Sequence, residues 1–102
     1  MTSPENLAAM FKVLSVGTRL QILHLLKERP MCVNALACSL KMTAAAISQH
    51  LRILREAELV TPERRGYFVH YRLNTGKIDE VALKAQTFLG RGEGRGEGRG
   101  EE

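Results

Sequence analysis

The sequence predicts a mainly α fold with one small β-hairpin, about five helices and a two-stranded wing. Three observations predict it. Apolar residues recur at helical spacing along most of the chain. After Leu59 the period changes to alternation, with Tyr67, Val69, Tyr71 and Leu73 on one face and Phe68, His70 and Arg72 on the other. The helix just before that change opens on Thr43, Ala44, Ala45 and Ala46, a slim front end that lets a backbone approach another molecule closely. A short helix, a turn, a second helix and then a basic hairpin is the layout of a winged helix-turn-helix.

Each element has a local cause. Thr2 or Ser3 caps the first helix, and Pro4 suits its first turn. Leu7, Met10, Phe11 and Leu14 form its stripe. Ser15 to Thr18 is a break marked by Gly17, with Thr18 as a candidate cap for the second helix. That helix runs to about Glu28, with Leu20, Leu23 and Leu26 as its main apolar face and Ile22 and Leu25 widening it. Pro30 stops it, because proline offers no N–H and clashes with the preceding turn. A short third helix spans about Cys32 to Leu40, with Val33, Leu36, Ala37 and Leu40 inward. Lys41 and Met42 turn the chain, and Thr43 caps the fourth helix. Ile47, Leu51 and Leu54 anchor that helix at i, i+4, i+7. Val60 to Glu63 is the first wing strand, and Pro62 makes it an edge strand. Asn74, Thr75 and Gly76 end the hairpin, and a last helix covers about Ile78 to Leu89. Residues 1–89 read as one domain. The segment 90–102, GRGEGRGEGRGEE, is a four-residue repeat without an apolar side chain; it has nothing to bury and reads as disordered.

Charge narrows the function. Fifteen Lys and Arg against eleven Asp and Glu give a net +4 over 102 residues. From Arg91 onward there are three Arg and four Glu, a net −1, which leaves +5 on the folded part. That balance favours a polyanionic partner. On the fourth helix, Ser48, Gln49 and Arg52 lie opposite the apolar stripe. Ser48 and Gln49 both donate and accept, as base readers must, Arg52 and Arg55 suit phosphate, and a methyl such as that of Ala44 or Ala45 suits a thymine methyl. His50 borders the core stripe, a packing or phosphate-contacting position, and His24 is a core-edge histidine. Arg64 and Arg65 flank Gly66 at the hairpin tip, and His70 lies on the outer wing face. The expected DNA-binding set is therefore Thr43, Ala44, Ala45, Ser48, Gln49, His50, Arg52, Arg64, Arg65 and His70.

The first and last helices carry more apolar surface than one chain needs. Leu7, Phe11 and Leu14 on one, and Val81, Ala85 and Phe88 on the other, form an expected dimer interface. Two cysteines make no disulfide framework. Cys32 and Cys38 lie six residues apart, about 240° around a helix, so they face different ways. Cys32 opens a helix, where the dipole lowers a thiol's pKa, which makes it a candidate thiol sensor; a small buried hydrophobe is the other reading. No signal peptide or membrane-length apolar run is present, so a cytoplasmic protein without a membrane partner is expected. There is no Gly-rich phosphate loop, no Ser-His-Asp arrangement and no carboxylate pair in a plausible pocket, so an enzyme is not expected.

From about Leu14 to Leu73 the chain resembles the ArsR/SmtB family of small winged-helix repressors. The segments that carry the resemblance are LSVGTRLQILHLLKE, MCVNALACSLKMTAAAISQHLRILREAELV and RRGYFVHYRLN. The resemblance implies a homodimer whose first and last helices pack against their mates, operator DNA as partner, and an effector that weakens operator affinity. It does not carry a metal site across. Where the family's arsenic and lead sensors have Cys-x-Cys, this chain has Cys32 and Asn34; the last helix has Asp79 and Glu80 but no histidine for the zinc-type pair. No metal and no cofactor is expected. Glu58 stands where the family commonly has glycine at a helix end, so that end is expected to differ or to bear strain. The alternative function is a winged-helix association module that binds no operator.

Overall fold

The computed structural model describes residues 3–90; of the segment expected to be disordered, all but Gly90 lies outside the described residues. The elements are α1 (Pro4–Leu14), α2 (Gly17–Glu28), β1 (Met31–Cys32), α3 (Val33–Leu40), α4 (Ala44–Glu56), β2 (Val60–Arg65), β3 (Phe68–Leu73) and α5 (Thr75–Leu89). Ser3 is the α1 cap, its Oγ accepting from the Asn6 N–H at 3.1 Å. Thr18 does not cap α2. That helix opens at Gly17 from an extended Val16, whose carbonyl accepts from the N–H groups of Arg19 and Leu20. Asn74 caps α5 through its Oδ1 and the Lys77 N–H at 3.2 Å, so α5 starts three residues before Ile78.

The two-stranded wing is the hairpin of β2 and β3, and β1 extends it to a three-stranded sheet, in the order β1-β3-β2 and antiparallel throughout. Two residues between α2 and α3 supply the extra strand, pairing Met31 with Tyr71 and Cys32 with His70. Beyond β3, Val60 pairs with Leu73 and Arg65 with Phe68. Directly paired residues share a face. One face is therefore Met31, Tyr71, Leu73, Val60 and Val69, and it packs onto the helices; Met31 and Val60 are buried. The other is Cys32, His70, Glu63, Arg65, Phe68 and Arg72, turned outward. β2 is an edge strand, where Pro62 costs no ladder bond that a neighbour needs.

The core gathers one residue or more from every element between α2 and β2. Ile22, Leu36, Ile47, Leu51, Leu54 and Leu59 have essentially no exposed surface. Such burial contributes about 1.5–3 kcal/mol per side chain and holds α3 and α4 in fixed relation. Leu20 departs from expectation: it is 50% exposed, while Ile22 is fully buried. The buried face of α2 is thus centred on Ile22, Leu23 and Leu26, and Leu20 sits at its rim.

The end of α4 bears the strain its sequence foreshadowed. Glu58 has φ 65°, the left-handed region where a Cβ crowds the backbone. The turn is still fully bonded. The Leu59 N–H donates to the Leu54 carbonyl at 2.9 Å and the Glu58 N–H to the Arg55 carbonyl at 2.8 Å, a Schellman arrangement sealed by buried Leu54 and Leu59. Asn74 Nδ2 donates to the Glu58 carbonyl at 2.9 Å, tying the turn to the far end of the wing.

Candidate nucleic-acid interface

α3 and α4 form the helix-turn-helix. Lys41, at φ 57°, reverses the chain after α3, and the Met42 N–H donates to the Ala37 carbonyl at 3.0 Å. Thr43 then starts α4, its Oγ1 accepting from the Ala46 N–H at 3.1 Å. Thr43 accepts that bond with its oxygen, is exposed, and keeps its hydroxyl proton to donate outward. Ala44, Ala45, Ser48, Gln49 and Arg52 are all exposed. They share the side of α4 opposite buried Ile47, Leu51 and Leu54, which leaves one continuous face of small, amide, hydroxyl and guanidinium groups. The first turn of α4 holds no acidic residue, so its free N–H groups and helix dipole present unopposed positive potential.

His50 is placed differently from the other residues of this set. It is half-buried, and its Nδ1 accepts from Arg19 Nε at 3.3 Å. The same guanidinium donates through Nη1 to the Val13 carbonyl near the end of α1 at 3.1 Å. Arg19 therefore links α1 to α4. Sequence reasoning passed over it because its partners lie six and thirty-one residues away.

At the wing, Gly66 and Tyr67 form a two-residue loop between paired Arg65 and Phe68. Positive φ at Gly66 alone is the pattern of a type II′ turn. Arg64 and Arg65 are exposed at this tip, as the sequence suggested. Arg65 and Arg72 both approach Glu63 Oε1, at 3.4 and 3.5 Å. Arg64 makes no ion pair among the described residues. The alternation expected Tyr67 on the strand face of Val69, Tyr71 and Leu73; it lies instead in the two-residue loop, outside β3 and 97% exposed, while Phe68, on the outer face as expected, is 59% exposed. His70 stands between Cys32 and Glu63 across the sheet, half-buried, with a buried Nδ1 that has no hydrogen-bond partner.

The remaining candidate residues fall elsewhere. Cys32 is half-buried at the α3 start, Cys38 is exposed, and both thiols are free. Among the described residues no three His, Cys, Asp or Glu side chains lie where they could hold one metal ion. An open apolar groove runs between α1, α2 and α5, lined by Phe11, Leu14, Leu20, Ile78, Val81 and Ala85 among others. No residue of α5 is buried within the chain, and Leu83, Phe88 and Leu89 are each more than half exposed. Leu7, by contrast, is buried beneath α1 at 4% exposure, so it holds α1 in place and has no surface to offer a partner. On the polar side of α5, Lys84 donates to Glu80 at 2.7 Å; that bond and the charges of Lys77 and Lys84 hold the Glu80 carboxyl below its ordinary pKa.

Known proteins share this arrangement. The model of the bacterial regulatory protein, arsR family, matches residues 17–61, which run from the start of α2 into β2. The transcriptional repressor SdpR of Bacillus subtilis is 34% identical over 84 residues, 82% of this chain and 93% of SdpR. The arsenical resistance operon repressor of Escherichia coli is 42% identical over 66 residues, 64% of this chain but 56% of that protein. Among solved structures, an ArsR-like transcriptional regulator from Rhodococcus superposes with a TM-score of 0.73 at 29% identity, covering 80% of this chain and 77% of its own. From its helix-turn-helix to its wing, the chain belongs to the ArsR family of bacterial transcriptional regulators.

Proposed function

We propose that this chain is a homodimeric repressor that binds an operator in duplex DNA and is released by an effector. The carrying observation is the exposed face of α4. Ala44, Ala45, Ser48, Gln49 and Arg52 stand clear of the core on a helix whose front turn is capped and free of acid. Gln49 and Ser48 read base edges there, while Arg52, Arg64 and the α4 N-terminus hold phosphate. His70, on the outer wing face, adds a backbone contact. The apolar groove between α1, α2 and α5 is the dimer surface, with Phe11, Leu14, Val81, Ala85 and Phe88 facing a mate. Two α4 helices related by a two-fold axis address half-sites about one helical turn apart. Such a protein performs no chemistry on its ligand and works in the cytoplasm, where the operator is. Residues 1–89 are its one DNA-binding and dimerisation domain.

Cys32 is the residue through which we expect a thiol-reactive effector to act. It joins the end of β1 to the start of α3, so modification there disturbs the helix that positions α4. The test of the whole reading is selection of a binding site from random duplex DNA, followed by affinity measured across salt. Counterion release by several basic contacts demands a steep fall of affinity with salt. A chain that enriches no sequence and shows no salt-dependent affinity is an association module instead.

A further inference from the structure

We infer that the wing tip is an aromatic wedge for duplex DNA: Tyr67, with Phe68 behind it, enters the minor groove between phosphates held by Arg64 and Arg65. The inference deepens, and rests on, the operator-binding reading above. Two-residue hairpin loops ordinarily carry glycine, asparagine, aspartate or serine, which are content in water. Here the second loop position is a tyrosine with 97% of its surface exposed, followed by a phenylalanine at 59%. Among the described residues nothing covers the Tyr67 ring, and most of the Phe68 ring stays exposed. Tyr67 has no packing role to explain it, because the strand residues below the tip hold the hairpin: Val69 and Tyr71 on the inner face and the Glu63 ion pairs on the outer.

The occupant follows from charge. Next to the rings, Arg65 stands opposite Phe68 on the outer face and Arg64 opposite Val69 on the inner one, with Arg72 further along the outer face. A purely apolar partner would strip water from those guanidiniums without return, whereas a polyanion with an apolar floor satisfies both. The minor groove is such a surface, with phosphates on its walls and sugar and base edges between them, and proteins that use it often insert apolar side chains at a base step. Tyrosine suits the place, since its ring packs while its hydroxyl stays hydrogen-bonded.

The experiment separates a wedge from a charge contact. A duplex selected by the wild-type protein is titrated across salt with Tyr67→Ala, Tyr67→Phe and Arg64→Ala. Tyr67→Ala is expected to lose about tenfold in affinity with an unchanged salt slope, because a ring releases no counterions. Tyr67→Phe is expected to bind like the wild type, and Arg64→Ala to reduce the slope by about one. The chain has no tryptophan and two tyrosines, so in a Tyr71→Phe background Tyr67 is the sole emitter; its fluorescence should fall when duplex is added. Wild-type affinity for Tyr67→Ala, a changed slope in that variant, or unchanged emission overturns the wedge while leaving operator binding intact. Loss of dimerisation in Tyr67→Ala, seen by sedimentation, would give the rings to a second copy and also overturns it. A wild-type protein that binds no duplex overturns the operator reading itself.

Discussion

Replacing Glu58 by glycine should stabilise this protein, and the structure supplies the magnitudes. Glu58 closes α4 at φ 65°. An L-residue in that region costs roughly 1–2 kcal/mol relative to glycine. Glycine gives back part of the gain, about 0.4–1 kcal/mol, because the unfolded chain becomes freer. The side chain itself contributes little: it is 73% exposed, and its carboxylate lies 3.8 Å from Lys77 Nζ, a surface pair worth at most about 0.5 kcal/mol. The remaining contacts of the residue are backbone bonds to Arg55 and Asn74, which glycine keeps. The net expectation is a gain of about 0.5 kcal/mol, or roughly 2–4 °C in Tm for a domain of this size. Glu58→Ala keeps the strain and loses the ion pair, so it should fall slightly below the wild type. Glu58→Val, β-branched in a left-handed turn, should fall furthest. Thermal unfolding at one fixed protein concentration checks the order, since a dimer's Tm depends on concentration. A valine variant as stable as the wild type, or a glycine variant clearly less stable, would refute the reasoning about strain at this turn.

Other outcomes follow from the same geometry. Phe11→Glu with Phe88→Glu, two side chains exposed in the single chain, should yield a folded monomer by sedimentation and lower operator affinity; Val81 is a poorer probe because it also packs on the core. Gln49→Ala should cost about 1–3 kcal/mol on the preferred site and relax base choice, while Arg52→Ala should weaken all sequences alike; competition binding on a panel of single-base variants distinguishes the two. Arg19→Ala should reduce operator affinity several-fold through the lost link from Val13 to His50, and His50→Asn, whose Oδ1 replaces the Nδ1 acceptor, should retain more affinity than His50→Leu. Operator affinity of wild-type and Cys32→Ser protein, each reduced and oxidised, should differ only for the oxidised wild type; equal values would show that Cys32 senses nothing.

What this sequence determined alone is whatever is decided within a few residues. Ser3 and Thr43 bond to N–H groups three positions on, so the starts of α1 and α4 are local and legible events; Asn74 caps α5 in the same way, although the apolar spacing alone set that start at about Ile78. The stripe Ile47, Leu51, Leu54 dictated which side of α4 is buried and therefore which side is exposed. The family resemblance, by setting Glu58 where glycine is common, implied an altered or strained end to α4, and Glu58 has φ 65°. What the tertiary structure decided depends on partners distant in the chain. Met31 and Cys32 carry no strand signal of their own; they are a strand because the open edge of β3 lies beside them, pairing residues about forty positions apart. Leu20 belongs by spacing to the apolar face of α2, yet it is half exposed because the core fills around Ile22 and none of the described residues fills the groove beyond Leu20. Leu7 was indistinguishable in sequence from Phe11, but only α1 docked against the rest of the chain shows that one is already buried. The exposure of Tyr67 and the bond from Arg19 to His50 are likewise properties of packed surfaces. Helical period and capping report what a residue can hide or bond locally, whereas burial and long-range bonds depend on which surfaces finally meet.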